Sequence, residues 1–196
     1  MKKVLNRIKN ILLTPGDEWL AIKNEPPTKK EIFKHAASLA AIPTVAAIAG
    51  RILFNPNIRD GALTFSFSSL MMTNMIWYGM YLLNIVITGM IIAVVLAAAN
   101  CSRSSLRGFT ISAYSFTPLS LGGCLAVIPY LGWTLYPAIL YGMYLIYLGI
   151  TLLAKIPKKK AAWFALSSFS AAAVIVGIMN LFEYVFESFL MGKMFS

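Results

Sequence analysis

Long stretches without a charged side chain dominate this sequence and constrain what it can fold into. A helix needs about 20 apolar residues to cross the hydrocarbon core of a membrane. The third of these stretches, residues 108–154, is long enough for two crossings and is interrupted by Pro129 and Gly132. The pattern therefore predicts five crossings. The stretches without Asp, Glu, Lys or Arg are residues 35–50, 61–102, 108–154 and 161–182.

The basic residues between these stretches fall on one side of the predicted membrane. When alternate loops are assigned to the cytoplasm, 14 of the 17 Lys and Arg residues lie inside, and only Arg51, Arg59 and Lys193 lie outside. An excess of cytoplasmic Lys and Arg is the positive-inside pattern of integral membrane proteins. The N-terminus is therefore predicted to be cytoplasmic and the C-terminus extracytoplasmic.

Composition supports the same class and argues against others. Hydrophobic residues make up 59% of the chain and charged residues 12%, which a soluble domain cannot easily accommodate. A net charge of +10 would suit a nucleic-acid partner, but the basic residues flank the predicted spans, where they face anionic headgroups. We expect membrane lipids as partners and no nucleic acid.

The predicted fold is an all-α integral membrane protein, a bundle of five transmembrane helices with a short amphipathic N-terminal cytoplasmic segment. That segment is residues 1–31, the transmembrane domain is residues 32–190, and residues 191–196 form a short extracytoplasmic tail. The predicted spans are 32–54, 68–99, 110–128, 133–154 and 161–186.

The N-terminal segment contains two short helices in this prediction. Residues 3–13 place aliphatic side chains on one face and basic ones on the other, which is typical of a helix in the membrane interface. The alternative is a solvated helix that packs on the protein's own loops. Thr14 before Pro15 predicts an N-cap for the second helix. Thr28 and Glu31 predict a capping box at the start of the first span.

The second span carries a polar stripe at helical spacing, which predicts a face directed into the bundle. The tyrosines near the middle of the fourth span, Tyr141, Tyr144 and Tyr147, are its expected partners. One interpretation is an intramembrane polar pocket, and the other is plain hydrogen bonding between helices. The stripe comprises Asn74, Trp77, Tyr81, Asn84 and Thr88, and the predicted pocket comprises Asn74, Tyr81, Asn84, Thr88, Tyr141 and Tyr144.

Two basic loops are candidates for contact with anionic lipid or phosphate. Guanidinium groups beside several hydroxyls suit a phosphate, and a run of lysines at a membrane surface suits anionic lipid. Anchoring of the topology is the alternative role for the same residues. The candidates are Arg103, Arg107, Lys155, Lys158, Lys159 and Lys160.

No catalytic constellation is visible in the sequence. His35, at the start of the first span, is interpreted as a headgroup or carbonyl contact rather than a proton relay. The chain has no phosphate-cradling glycine loop and no Gly-x-Ser-x-Gly or His-Glu-x-x-His motif. Two cysteines and one histidine also argue against a structural zinc site. We expect no catalytic residue, no cofactor and no metal.

Four segments follow one another in a familiar order: ILLTPGDEWLAIKNEP, RSSLRGFTISAYSFTP, IPYLGW and YGMYLIYLGITLLAKIPKKKA. Together they resemble the Yip (Ypt-interacting protein) family of five-span membrane proteins, especially its small bacterial members. The resemblance implies a helical bundle in a bacterial inner membrane, with a cytosolic N-terminus. Eukaryotic relatives are associated with Rab-type GTPases, but the short arm before the first span argues against a GTPase partner here.

The sequence therefore predicts a non-enzymatic multi-pass membrane protein of the Yip type. It would bind lipids or partner proteins, including a second copy of itself or a related membrane protein, in membrane organisation or trafficking. The alternative is a small-solute or lipid transporter or permease that uses the polar stripe of the second span.

Overall fold

The computed structural model describes residues 2–54, 67–99, 105–154 and 156–194. Within these ranges the chain is all-helical, which confirms the predicted class. The helices are α1 (Lys2–Leu13), α2 (Pro15–Asn24), α3 (Lys29–Phe54), α4 (Phe67–Ala98), α5 (Ser105–Ser115), α6 (Thr117–Ala126), α7 (Leu135–Ala154) and α8 (Lys158–Met194), with a 3₁₀ turn at Gly132–Thr134.

Three of the described helical segments are long and apolar enough to cross a membrane. They are Lys29–Phe54, Leu70–Ala98 and Gly132–Ala154, which coincide with the first, second and fourth predicted spans. Their outward faces carry large apolar side chains, such as Val94 and Leu140. The protein is therefore an integral membrane protein, while the third and fifth crossings stay predictions.

The third predicted span is divided into two helices near Pro118. A proline has no backbone N–H and its ring crowds the carbonyl four residues earlier, which here belongs to Tyr114. The hydroxyl of Thr117 donates to that carbonyl oxygen at 2.7 Å. Thr117 thus satisfies the group that Pro118 leaves without its helical partner.

α5 packs between α4 on one side and α7 on the other, while α3 and α8 also lie against α4. The contact between α4 and α5 is close because both helices have glycine there. A Cβ added to Gly108 would collide with the carbonyl oxygen of Gly89 and lie 2.8 Å from the backbone nitrogen of Ala93. Small residues let two membrane helices approach backbone to backbone.

Part of the aliphatic face of α1 and two apolar side chains of α2 pack inside the protein. Ile11, Trp19 and Ile22 are completely buried and belong to one cluster with Ile111 and Leu145. Part of the predicted aliphatic face of α1 therefore contacts the protein itself, while the location of residues 3–13 at the membrane interface stays a prediction. The two short helices form a hairpin, the N-terminal hairpin, that packs on the helical bundle.

The two predicted helix starts differ in outcome. At Thr28 the capping box is confirmed, because its N–H donates to Glu31 Oε2 at 2.9 Å and its Oγ1 accepts from the Glu31 N–H at 3.3 Å. At Thr14 the predicted side-chain cap is wrong. Its hydroxyl instead donates to the carbonyl of Asn10 at 3.3 Å. Thr14 directly follows the last turn of α1, so its hydroxyl lies close to this carbonyl, four residues earlier.

Candidate functional site

One end of the bundle gathers most of the described basic residues. α2 ends there, α3 and α5 begin there, and α7 runs into α8 there. We call it the basic end, defined by Lys23, Lys29, Lys30, Lys34, Arg107 and Lys158–Lys160. All of these side chains are exposed except that of Lys23, which is half-buried. Two further predicted contacts, Arg103 and Lys155, lie outside the described residues.

A cleft of about 530 Å³ lies at the basic end. The end of α2 and the following Pro26-Pro27 form one wall, the first turns of α5 form the second, and the end of α7 forms the third. Its volume lies within the range of about 300–1,000 Å³ that is typical of small-molecule sites. Lys23 and Arg107 line this cleft together.

The remaining surface of the cleft is largely apolar. Ile22, Leu106 and Leu153 line it, and the hydroxyl of Thr110 is already used, because it donates to the Leu106 carbonyl at 2.7 Å. Of the described residues that line the cleft, none is acidic. The site therefore combines two cations with apolar side chains, here called the apolar floor of the cleft, which suits a negatively charged amphiphile.

Asn74, Asn84 and Thr88 of the polar stripe are buried in the bundle as predicted, whereas Trp77 is 42% exposed. The amide of Asn74 donates to the Leu70 carbonyl of the same helix at 2.8 Å. Thr88 donates to Asn84 Oδ1 at 3.1 Å, also within the helix. These three side chains therefore find hydrogen-bond partners on α4 itself.

Tyr81 is the member of the stripe whose hydrogen bonds in the described structure join α4 to the interrupted span. Its hydroxyl shares a hydrogen bond of 2.6 Å with Ser120 Oγ and donates to the Phe116 carbonyl at 3.3 Å. Its ring also meets that of Phe116 edge to face, with centroids 5.9 Å apart. These contacts stabilise the helix break.

The predicted pairing of the stripe with the tyrosines of the fourth span is wrong. Tyr141 donates to the carbonyl of Leu12 in α1 at 2.8 Å, and Tyr144 lies beside it with 46% of its surface exposed. The physical reason is that α5 packs against both α4 and α7. The two sets of polar side chains, Asn74–Thr88 and the tyrosines, therefore do not form one pocket.

A buried polar cluster that the sequence analysis missed surrounds the ring of Tyr114. His35 stacks on that ring with centroids 4.2 Å apart, and Trp19 meets it edge-on at 6.2 Å. The guanidinium carbon of Arg7 lies 5.8 Å from the ring centroid, a cation–π distance. Arg7 also pairs with Glu18, with Nη1 and Oε1 3.4 Å apart. We call these five residues the Tyr114 cluster.

His35 is placed differently from the prediction. It is 1% exposed, and in the described structure neither of its ring nitrogens has a hydrogen-bond partner. The same holds for the indole nitrogen of Trp19. The interpretation of His35 as a headgroup or carbonyl contact is therefore wrong, because its ring is buried against Tyr114 of α5. The sequence signal that could have indicated this cluster was Arg7, the one arginine in α1.

Comparisons with known proteins agree with the architecture. A model of the Yip1 domain matches residues 9–179. The "Inner membrane protein YohC" of Escherichia coli strain K12 is 30% identical over 174 residues, which cover 85% of this chain and 86% of that protein. The protein of the same name from E. coli O6:H1 strain CFT073 matches to the same extent. No solved structure matches this chain.

Proposed function

Because this chain belongs to the Yip1 domain family, we propose that it is a non-enzymatic protein that binds anionic phospholipid at its cytoplasmic face. The family resemblance predicted from the sequence is confirmed by the match over residues 9–179. The name of the E. coli relatives supports an inner-membrane location.

The observation that carries this proposal is the concentration of exposed cations at the basic end of membrane-spanning helices. Arg107 and Lys158–Lys160 are exposed there. Trp163, one turn into α8, is 68% exposed, which suits the aromatic belt at the headgroup level. Cations beside such a belt attract anionic headgroups, at about 1 kcal/mol for each Lys or Arg near the membrane surface.

The basic end is the cytoplasmic side in this proposal. The positive-inside distribution supports that orientation, with five crossings, a cytoplasmic N-terminus and an extracytoplasmic C-terminus. The described part of the polar stripe does not favour the transporter alternative. Asn74 and the Asn84–Thr88 pair make hydrogen bonds within their own helix, which a role in helix structure explains without a solute.

Native mass spectrometry of the protein from nanodiscs tests the proposal. The nanodiscs contain equal amounts of phosphatidylglycerol, which is anionic, and phosphatidylethanolamine, which has no net charge. We expect the protein to retain phosphatidylglycerol preferentially, and we expect Lys158→Gln/Lys159→Gln/Lys160→Gln to reduce that preference.

The control is Arg51→Gln, which removes a cation from the opposite end of α3 and should leave the preference unchanged. Equal retention of the two lipids by the unaltered protein would contradict the proposed function.

A further inference from the structure

The cleft at the basic end combines features that scattered surface cations do not. Lys23 is half-buried and lines the cleft from the end of α2. Arg107 lines the same cleft from the first turn of α5. A phosphate between an ammonium and a guanidinium would receive charge-assisted hydrogen bonds from both.

We propose that this cleft is a defined site for one anionic phospholipid, whose phosphate lies between Lys23 and Arg107. The inference rests on the proposed function and adds to it a location, a number of lipids and Lys23, a residue outside the two basic loops. The remaining cations of the basic end then contribute only the general attraction of the membrane surface.

The apolar floor of the cleft favours a lipid over a soluble phosphate. Pro27, Leu106 and Leu153 line the region next to the two cations. Burial of apolar surface is favourable, so the glycerol backbone and first methylene groups of a lipid gain from these walls, whereas inorganic phosphate does not. The cleft also lies where α7, a membrane-spanning helix, ends at Ala154, and this is the level at which headgroups are found.

The position of Lys23 depends on how the N-terminal hairpin is held. Trp19, one turn earlier on α2, is completely buried against α7 at Gly149. A Cβ on Gly149 would lie 3.2 Å from Trp19 Cζ2 and 3.0 Å from Ile111 Cγ2, so a side chain there has little room. The Arg7–Glu18 pair joins α1 to α2 on the other side. Trp19 and Glu18 are therefore positioning residues for the wall that carries Lys23.

The first experiment compares two double variants that remove the same charge. Lys23→Gln/Arg107→Gln alters the cleft, and Lys159→Gln/Lys160→Gln alters exposed lysines outside it. Phosphatidylglycerol binding is titrated by native mass spectrometry of the full chain. We expect one lipid per protomer, with an affinity at least about tenfold lower for the cleft variant and less than about threefold lower for the control.

A second pair of variants changes the shape of the cleft without a change in charge. Leu153→Trp should fill it and reduce lipid binding, whereas Leu140→Trp, on the exposed face of the same helix, should have no effect. Thermal melting of each variant identifies any that fails to fold. This pair keeps the test decisive if the double cleft variant is unstable.

The outcomes separate the inference from the proposed function. Equal losses for the two double variants, or unchanged binding by Leu153→Trp in a folded protein, would overturn the cleft as the site and leave general lipid binding intact. No preference for phosphatidylglycerol in any variant or the parent would overturn both. Displacement of the lipid by millimolar inorganic phosphate would reassign the cleft to a soluble phosphate and overturn the choice of a phospholipid.

Discussion

The polar stripe of α4 and the Tyr114 cluster place buried polar side chains in the same bundle in opposite ways. On α4, Asn74 and the Asn84–Thr88 pair satisfy their hydrogen bonds within one helix. In the cluster, His35 and Trp19 come from different helices, and in the described structure their ring nitrogens have no hydrogen-bond partner. The Asn and Thr members of the stripe are thus a local arrangement, whereas the cluster exists only through tertiary contacts.

This difference shows that helical periodicity is a poor guide to where polar groups meet. The stripe has regular spacing, yet Tyr141, which was expected to pair with it, donates to Leu12 instead. The Tyr114 cluster has no periodic pattern, yet it joins α1, α2, α3 and α5. We therefore expect substitutions in the cluster to cost far more stability than substitutions in the stripe.

The largest effect is expected for Trp19→Ala. The change removes a completely buried indole and leaves a cavity beside Gly149, which should lower the free energy of unfolding by about 4 kcal/mol. Reversible unfolding in mixed detergent micelles measures it. Trp163→Ala, at a largely exposed position, is the matched control. Similar losses for the two variants would contradict the packed position of the hairpin.

Glu18→Gln should have the second largest effect. Glu18 is 6% exposed and accepts from Asn10 Nδ2 at 3.0 Å as well as pairing with Arg7. Without the carboxylate, Arg7 keeps its charge in a largely buried place, at a cost of about 3 kcal/mol. The same unfolding assay applies, with the exposed Glu25→Gln as control. If Arg7→Gln/Glu18→Gln is no more stable than Glu18→Gln alone, the ion pair is not the cause.

A smaller effect is expected for Tyr81→Phe, which tests how much a member of the polar stripe contributes to the free energy of unfolding. The variant loses the hydrogen bond to Ser120, and such bonds between membrane helices contribute about 0.6 kcal/mol on average. Tyr136→Phe, at an exposed position, should leave the unfolding free energy unchanged. A loss above about 2 kcal/mol would place Tyr81 in the same energetic class as the Tyr114 cluster.

The smallest effect is expected for Asn74→Leu. The Asn74 side chain donates to a carbonyl that already accepts the ordinary helical hydrogen bond, so its removal leaves no group unsatisfied. Leucine has a similar volume and suits the apolar surroundings, and we expect a change within about 0.5 kcal/mol. A large destabilisation in the unfolding assay would show that Asn74 has a role beyond its own helix.

Features that depend on neighbouring residues were predicted well. The capping box of Thr28 and Glu31 is confirmed. The interruption near Pro118 has an equally local cause, because proline lacks an N–H. The placement of His35 was wrong for a different reason. His35 is buried against the ring of Tyr114 in α5, a tertiary contact that the sequence pattern did not indicate.

The residues of the candidate site likewise comprise some that the sequence predicted and one that it did not. Arg107 and Lys158–Lys160 were predicted as lipid contacts, because basic residues beside apolar spans have a recognisable pattern. Lys23 was not, because it belongs to a short helix whose role in forming a cleft depends on α5 and α7.

The sequence by itself determined that the protein is helical and integral to a membrane, because apolar length, helix caps and helix-breaking residues act over a few residues. The order of its sequence segments also determined that it is a member of the Yip1 domain family. Only the tertiary structure decided which polar side chains meet. The bond from Tyr141 to Leu12 joins residues 129 positions apart. A helical pattern tells which face points inward, but the partner of that face is determined by the packing of the whole bundle.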